Sequence, residues 1–174
     1  CVAHVSLADP FCSRLSELLA EAAESAMPAG QHLHRGGTYL CMEGPAFSTR
    51  AESMLYRSWG CSVIGMTNPT EARLAREAEL AYASLSMVTD FDCWHNDHDA
   101  VSGEMVVGNL KANAVATEPI LSQLTLSLRD QRPSSEAHTA LADALITAPE
   151  HVPDQTRERL NLFTRPYWGS FPQD

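Results

Sequence analysis

Positive charge is scarce in this sequence. Lysine and arginine total 12 against 22 aspartates and glutamates, a formal net charge of -10 over 174 residues. A nucleic-acid partner would need a basic footprint to displace counterions from phosphates, and none is present. The same deficit argues against an anionic membrane surface. No window is apolar for the roughly 18 residues a spanning helix needs, and no signal-peptide pattern is visible. There is no C-x-x-C pair. The five cysteines, Cys1, Cys12, Cys41, Cys61 and Cys93, are odd in number and widely spread. That pattern reads as reduced thiols in a cytoplasmic protein, without zinc-ligand spacing. Neither a G-x-x-x-x-G-K-[ST] loop nor a G-x-G-x-x-G loop occurs, so nucleoside triphosphates and dinucleotides have no support. Internal repeats and low-complexity segments are missing too.

What is present is the material of one ordinary domain, with an apolar content of 44%. Residues 1–7 alternate loosely and read as the end of a strand. SRLSELLAEAAESA, from Ser13, sets Leu15, Leu18, Leu19 and Ala22 at helical spacing, with Ser13 as its cap. TYLCM (38–42) reads as a strand, TRAESMLYRSW (49–59) as a helix with Met54 and Leu55 inward, and SVIGM (62–66) as a second strand. PTEARLAREAELA (69–81) is a helix with proline in its first turn, and SLSMVT (84–89) a third strand. Helix then alternates with strand, which predicts an α/β fold with a largely parallel central sheet. Beyond it, 101–124 forms one long helix bent near Pro119. HTALADALI (138–146) and PDQTRERLNLF (153–163) add two more, before an irregular tail.

In open α/β sheets ligands sit beyond the carboxyl ends of the strands. Three such ends are legible: Glu43 to Thr49, then Met66, Thr67 and Asn68, then Thr89, Asp90, Phe91 and Asp92. They carry hydroxyls, a small loop and two acids, and no His/Cys/Asp cluster that would hold a metal. Each has a plainer reading beside the functional one. Asp90 could cap a turn, Thr67 could belong to the Asn-Pro turn, Ser48 could cap the following helix, and Phe47 and Met66 could be core.

Longer phrases go further than spacing. CMEGPAFSTRAES (41–53), VIGMTNPTEARLAREAELAYAS (63–84) and MVTDFDCW (87–94) resemble the methylthioadenosine phosphorylases of the trimeric purine nucleoside phosphorylase family, in matching order and separation. The resemblance runs from HVSLADPF, at His4, through the helix after Ala100, and fades toward the C-terminus. It implies a purine nucleoside phosphorylase-like α/β fold, with a mostly parallel or mixed central sheet flanked by helices. The implied reaction is phosphorolysis of methylthioadenosine, with phosphate as co-substrate and no metal or organic cofactor.

On this resemblance Asp90 and Asp92 line the purine pocket. One shares a proton with N7 of the leaving base, and the other accepts from the 6-amino group. Two neighbouring acids do not easily ionise together, so one is expected to hold a proton, Asp90 being the preferred donor. Relatives that prefer 6-oxopurines carry asparagine there, so the pair implies adenine. Phe47 matches the aromatic packed on the purine, and Ser48 a residue beside the base. Met66 lies beneath the ribose, and Thr67 contacts phosphate and a sugar hydroxyl. His4 matches a histidine that approaches the methylthio end from a neighbouring subunit, which implies a homotrimer. Members often carry valine near Gly103, and glycine there removes bulk from the 5' pocket.

The family's chain is longer on the N-terminal side, where most phosphate contacts lie. The sequence starts at Cys1 rather than methionine. Residues 1–174 are therefore expected to be the C-terminal portion of a single phosphorylase domain, partnered by a missing N-terminal half and inactive alone. Two alternatives stand beside this reading: a related phosphorylase acting on methylthioinosine or ordinary purine nucleosides, and a truncated purine-binding module without catalysis. A purely structural interaction domain would make all three strand-end motifs coincidental caps. In protein expressed from its complete gene, Thr67→Ala is expected to raise the apparent KM for phosphate more than the KM for nucleoside. Steady-state phosphorolysis with each substrate varied checks this, and an equal change in both removes Thr67 from the phosphate contact.

Overall fold

Two strands of three residues each can lie parallel only if the chain crosses back between them. Here β1 (Tyr39–Cys41) and β2 (Val63–Gly65) pair in parallel, Tyr39 with Val63, Leu40 with Ile64 and Cys41 with Gly65. The crossover is α2 (Arg50–Ser58). The computed structural model describes residues 1–95, 103–130 and 132–169. Within them the chain divides into two compact units, Ser16–Pro69 with Ser84–Pro133, and Cys1–Leu15 with Thr70–Ala83 and Ser134–Asp174.

The first unit holds the sheet. A methyl group on Gly65 would lie 1.7 Å from the Tyr39 hydroxyl, so glycine there makes room for that ring. One further bond, from Met42 N–H to Gly65 O at 2.9 Å, carries the ladder to the carboxyl edge. A capping box opens α2: Thr49 Oγ1 accepts from Glu52 N–H, and the Glu52 carboxylate accepts from Thr49 N–H at 2.7 Å. Those Thr49 donors, backbone first, hold the Glu52 carboxyl below its ordinary range. Its contribution to stability is therefore present above that range and lost as pH falls through the lowered value. Gly60, at φ 79°, turns the chain out of α2. Met54 and Leu55, read from the sequence as inward, are instead 52% and 47% exposed, because the helix turns Ser53 inward. Helix α1 (Ser13–Ala26) buries Leu18, Leu19, Ala22 and Ala23 on one stripe, and contains Ser13 rather than being capped by it. The long α4 (Gly103–Asp130) runs through Pro119 and buries Ala116 and Ile120.

The third expected strand, 84–89, does not form a ladder. Two of its carbonyls accept from side chains instead. Asn113 Nδ2 donates to Val88 O at 2.9 Å and Asn109 Nδ2 to Thr89 O at 2.5 Å, so α4 takes the place of a neighbouring strand.

In the second unit, α3 (Asn68–Glu77), but for its first turn, and α5 (Asp154–Trp168) accompany two 3-10 turns, Glu136–Thr139 and Pro149–His151. The α-helix expected over 138–146 is absent. Successive i to i+3 bonds run from Ser135 to Ala144, and His4 N–H then bonds Ala144 O while Ile146 N–H bonds Val2 O. Residues 2–4 thus pair with 144–146 around an Ala3–Leu145 antiparallel bridge, which removes the groups a helix would need. Glu79 ends α3 at φ 56°, a conformation costing a non-glycine residue roughly 1–3 kcal/mol. Its carboxylate offsets this by accepting from Leu141 N–H at 2.9 Å and from the Tyr167 hydroxyl.

The bond from Tyr167 to Glu79, with some desolvation and the charge itself, pushes the phenol up to about 12 from an ordinary 10.0. The folded state therefore favours the protonated phenol. That stabilisation is complete below about pH 10 and is lost as pH rises through 12. Spectrophotometric titration should show one of the four tyrosines ionising last, and Tyr167→Phe should remove that late step. A late step that survives the substitution refutes the assignment.

Candidate active site

The carboxyl edge of β1 and β2 opens onto three loops, all within the first unit. After β1 the loop turns at Gly44, φ 72°, where a Cβ would sit 2.8 Å from Met66 Sδ. Glycine thus lets the EGP loop lie against the methionine that follows β2. At the far end of that loop Ser48 Oγ approaches Met42 Sδ at 3.2 Å, and Cys93 Sγ reaches the Ser48 carbonyl at 3.7 Å. Ser48 and the DFDCW turn are thus in direct contact, and Met66 lies against the start of the same loop.

The two acids are held differently. Asp92 is half-buried and accepts at both oxygens, from the hydroxyl of Ser53 on Oδ2 and from Cys93 N–H on Oδ1 at 2.7 Å. Ser53 is itself almost wholly buried, at 1% exposure. Asp90 is exposed and accepts at Oδ2 from the adjacent Thr89 hydroxyl at 2.6 Å. Thr89 and Val88 are in turn pinned by Asn109 and Asn113, four residues apart on one face of α4. Arg57, one turn beyond Ser53 on α2, places its guanidinium 3.5 Å above the Trp94 ring. The turn closes on itself through His95 N–H to Asp92 O at 3.1 Å, with Phe91 edge-on to Trp94.

The other predicted residues are placed less tightly. Phe47 presents 85% of its surface. Thr67 is exposed and directly precedes α3, whose first residue, the buried Asn68, donates from Nδ2 to Ser84 Oγ at 3.1 Å. A side chain at Gly103 would meet nothing within 4 Å. His4 belongs to the second unit, where its backbone is bonded to Ala144. A shallow groove of about 710 Å³ runs along α4 beside Leu121 and Thr125 and contains none of the site residues. One helix face cannot enclose a ligand, so the loops at the sheet edge define the site better. Among the described residues no group of three His, Cys, Asp or Glu side chains could hold a metal ion.

Sequence reasoning missed Ser53, Arg57, Asn109 and Asn113. Their signal was helical spacing: each pair is separated by four, placing polar groups on one helix face.

These elements belong to a known class. The phosphorylase superfamily pattern matches residues 2–125, and the chain belongs to that superfamily. Its relatives are narrower in name. It is 61% identical over 170 residues to the S-methyl-5'-thioadenosine phosphorylase of Prochlorococcus marinus, covering 98% of this chain and 54% of that one. The enzyme of the same name from Thermosynechococcus vestitus is 51% identical, with 95% and 57% covered. The chain thus spans about half the length of the curated relatives it matches. A crystal structure of methylthioadenosine phosphorylase from an antarctic soil metagenomic library superposes with a TM-score of 0.86 at 47% identity, over 93% of this chain and 56% of that one. The methylthioadenosine phosphorylase of Schistosoma mansoni in complex with adenine gives a TM-score of 0.64 at 33% identity, over 75% and 50%.

The cation over Trp94 should be measurable. Arg57→Gln is expected to destabilise the fold by about 0.5–1 kcal/mol, the worth of a partly solvated cation–π contact. It should also shift tryptophan emission in the native state. Urea unfolding followed by fluorescence checks both, and an unchanged midpoint and spectrum would remove Arg57 from the support of the turn.

Proposed function

We propose that this chain forms the purine side, and part of the ribose side, of an enzyme that phosphorolyses S-methyl-5'-thioadenosine. The products are adenine and 5-methylthioribose 1-phosphate, as in methionine and purine salvage. The observation that carries the reading is the unequal holding of the two acids. Asp92, engaged by two donors, serves as a fixed acceptor for the 6-amino group. Asp90, bonded only through its neighbour's hydroxyl among the described residues, has an oxygen left for N7 and serves as the proton donor.

In the reaction a phosphate oxygen bonds to C1' of the ribose as the bond from C1' to N9 breaks. The bonding pair leaves with the purine, and the proton from Asp90 arrives at N7. General acid help of this kind is worth ~10²–10⁴ in rate. Phe47 covers the base, Ser48 borders it and Met66 lies under the sugar. Thr67 meets phosphate beside the first turn of α3, where the helix end favours an anion. The soft slot for the methylthio group includes His4 from a second copy in a homotrimer. Phosphate is the co-substrate, and neither metal nor organic cofactor takes part. The segment present in relatives and not in this chain supplies the remaining phosphate contacts. The working compartment is the cytoplasm.

A purine-binding module without turnover is the second reading. Phosphorolysis by protein expressed from its complete gene separates the two. Adenine release from methylthioadenosine that needs phosphate supports the enzyme, binding without release supports the module, and a preference for 6-oxo nucleosides rejects the adenine assignment. In the same assay Asp90→Asn is expected to lower kcat/KM for methylthioadenosine by about 100-fold or more and relax the base preference. Unchanged activity and preference would refute the donor role.

A further inference from the structure

Among the described residues Ser53 is the least exposed polar one, at 1%, yet it lies in α2 and not on a strand-end loop. Its hydroxyl has one proton to give and two neighbours to receive it, Asp92 Oδ2 and Cys93 Sγ, the latter at 3.3 Å. The thiol of Cys93 has its own acceptor, the Ser48 carbonyl, at 3.7 Å. The Ser53 proton therefore goes to Asp92. The second Asp92 oxygen receives Cys93 N–H at 2.7 Å. A carboxylate holding two donors keeps lone pairs and has no proton of its own, so a further ligand can approach it only by donating. An exocyclic amino group donates, and an exocyclic oxo group does not.

We propose that Ser53 is a positioning residue that sets the 6-amino over 6-oxo preference of the site by holding Asp92 as an acceptor. This rests on the phosphorolysis reading above. Ser53 touches no substrate; it acts through Asp92. Without the Ser53 hydroxyl, Asp92 keeps the Cys93 N–H on one oxygen but loses the donor that fixes the other, and the carboxyl no longer stands as a directed acceptor.

The test uses protein expressed from its complete gene, as wild type, Ser53→Ala and Ser53→Cys. The readout is the ratio of kcat/KM for S-methyl-5'-thioadenosine to that for S-methyl-5'-thioinosine, beside the KM for phosphate and a thermal melt. Ser53→Ala is expected to lower the ratio by roughly tenfold or more, since a donor to a charged group is lost, with the phosphate KM unchanged. Ser53→Cys, which keeps a weaker donor, is expected to fall between. A ratio held at the wild-type value while both substrates lose rate together overturns the proposal, as that is what loosened packing alone would do. Should the alanine protein not fold, the cysteine variant decides: a lowered ratio supports the proposal and an unchanged one overturns it. A wild-type protein that cleaves neither nucleoside refutes the phosphorolysis reading itself and takes this inference with it.

Discussion

The hydrogen bond from Ser53 to Asp92 is the constraint on which the rest of the candidate site depends. A buried hydroxyl left without a partner is costly, so Ser53 binds the loop to α2 as firmly as it orients the carboxylate. The orientation is inherited from further back. The capping box at Thr49 and Glu52 starts α2 at a defined residue, and Ser53 follows one position later. A helix begun one residue earlier or later would rotate Ser53 by about 100° and turn it away from the loop.

The acids of the site are held by neutral donors. Arg57 stands one turn from Ser53 and sits over the Trp94 ring, and no ion pair to Asp90 or Asp92 occurs among the described residues. This distinction has chemical weight. A guanidinium clamped on Asp92 would occupy both oxygens in a fork and cancel its charge, leaving little for a neutral base to bind. Hydroxyl and backbone N–H donors fix direction and leave lone pairs available.

Much of this was legible in the residues. Apolar spacing located α1, α2, α3, β1, β2 and the long helix to within a few residues, because each buries one face or ends at a glycine or proline. The failures have physical causes. SLSMVT has the composition of a strand, but its last two carbonyls are taken by Asn109 and Asn113, whose partners single-sequence periodicity does not show. HTALADALI has the composition of a helix, but residues 144–146 are claimed by residues 2–4, some 140 positions away. Met54 and Leu55 look like a core face by composition, whereas α2 turns Ser53 inward and leaves them about half exposed. The site phrases were visible as words, while the hydroxyl and amides that hold them were not, because support by a neighbouring helix leaves only a polar pair at spacing four.

That support explains how a loop without a ladder can carry a directional site. Two asparagines at positions 109 and 113 are fixed to one another by the rise of α4, about 6 Å over four residues. The carbonyls of Val88 and Thr89 are consecutive, and each accepts from one of these amides. Gripping both fixes the path of the backbone as well as its position. Asp90 is the next residue, so its backbone leaves a segment held by a 28-residue helix. Asp92, two residues on, is fixed independently by α2. Two rigid elements thus meet on either side of Phe91, and the separation of the acids is set by secondary structure rather than by the loop, which is what placement within a fraction of an ångström demands.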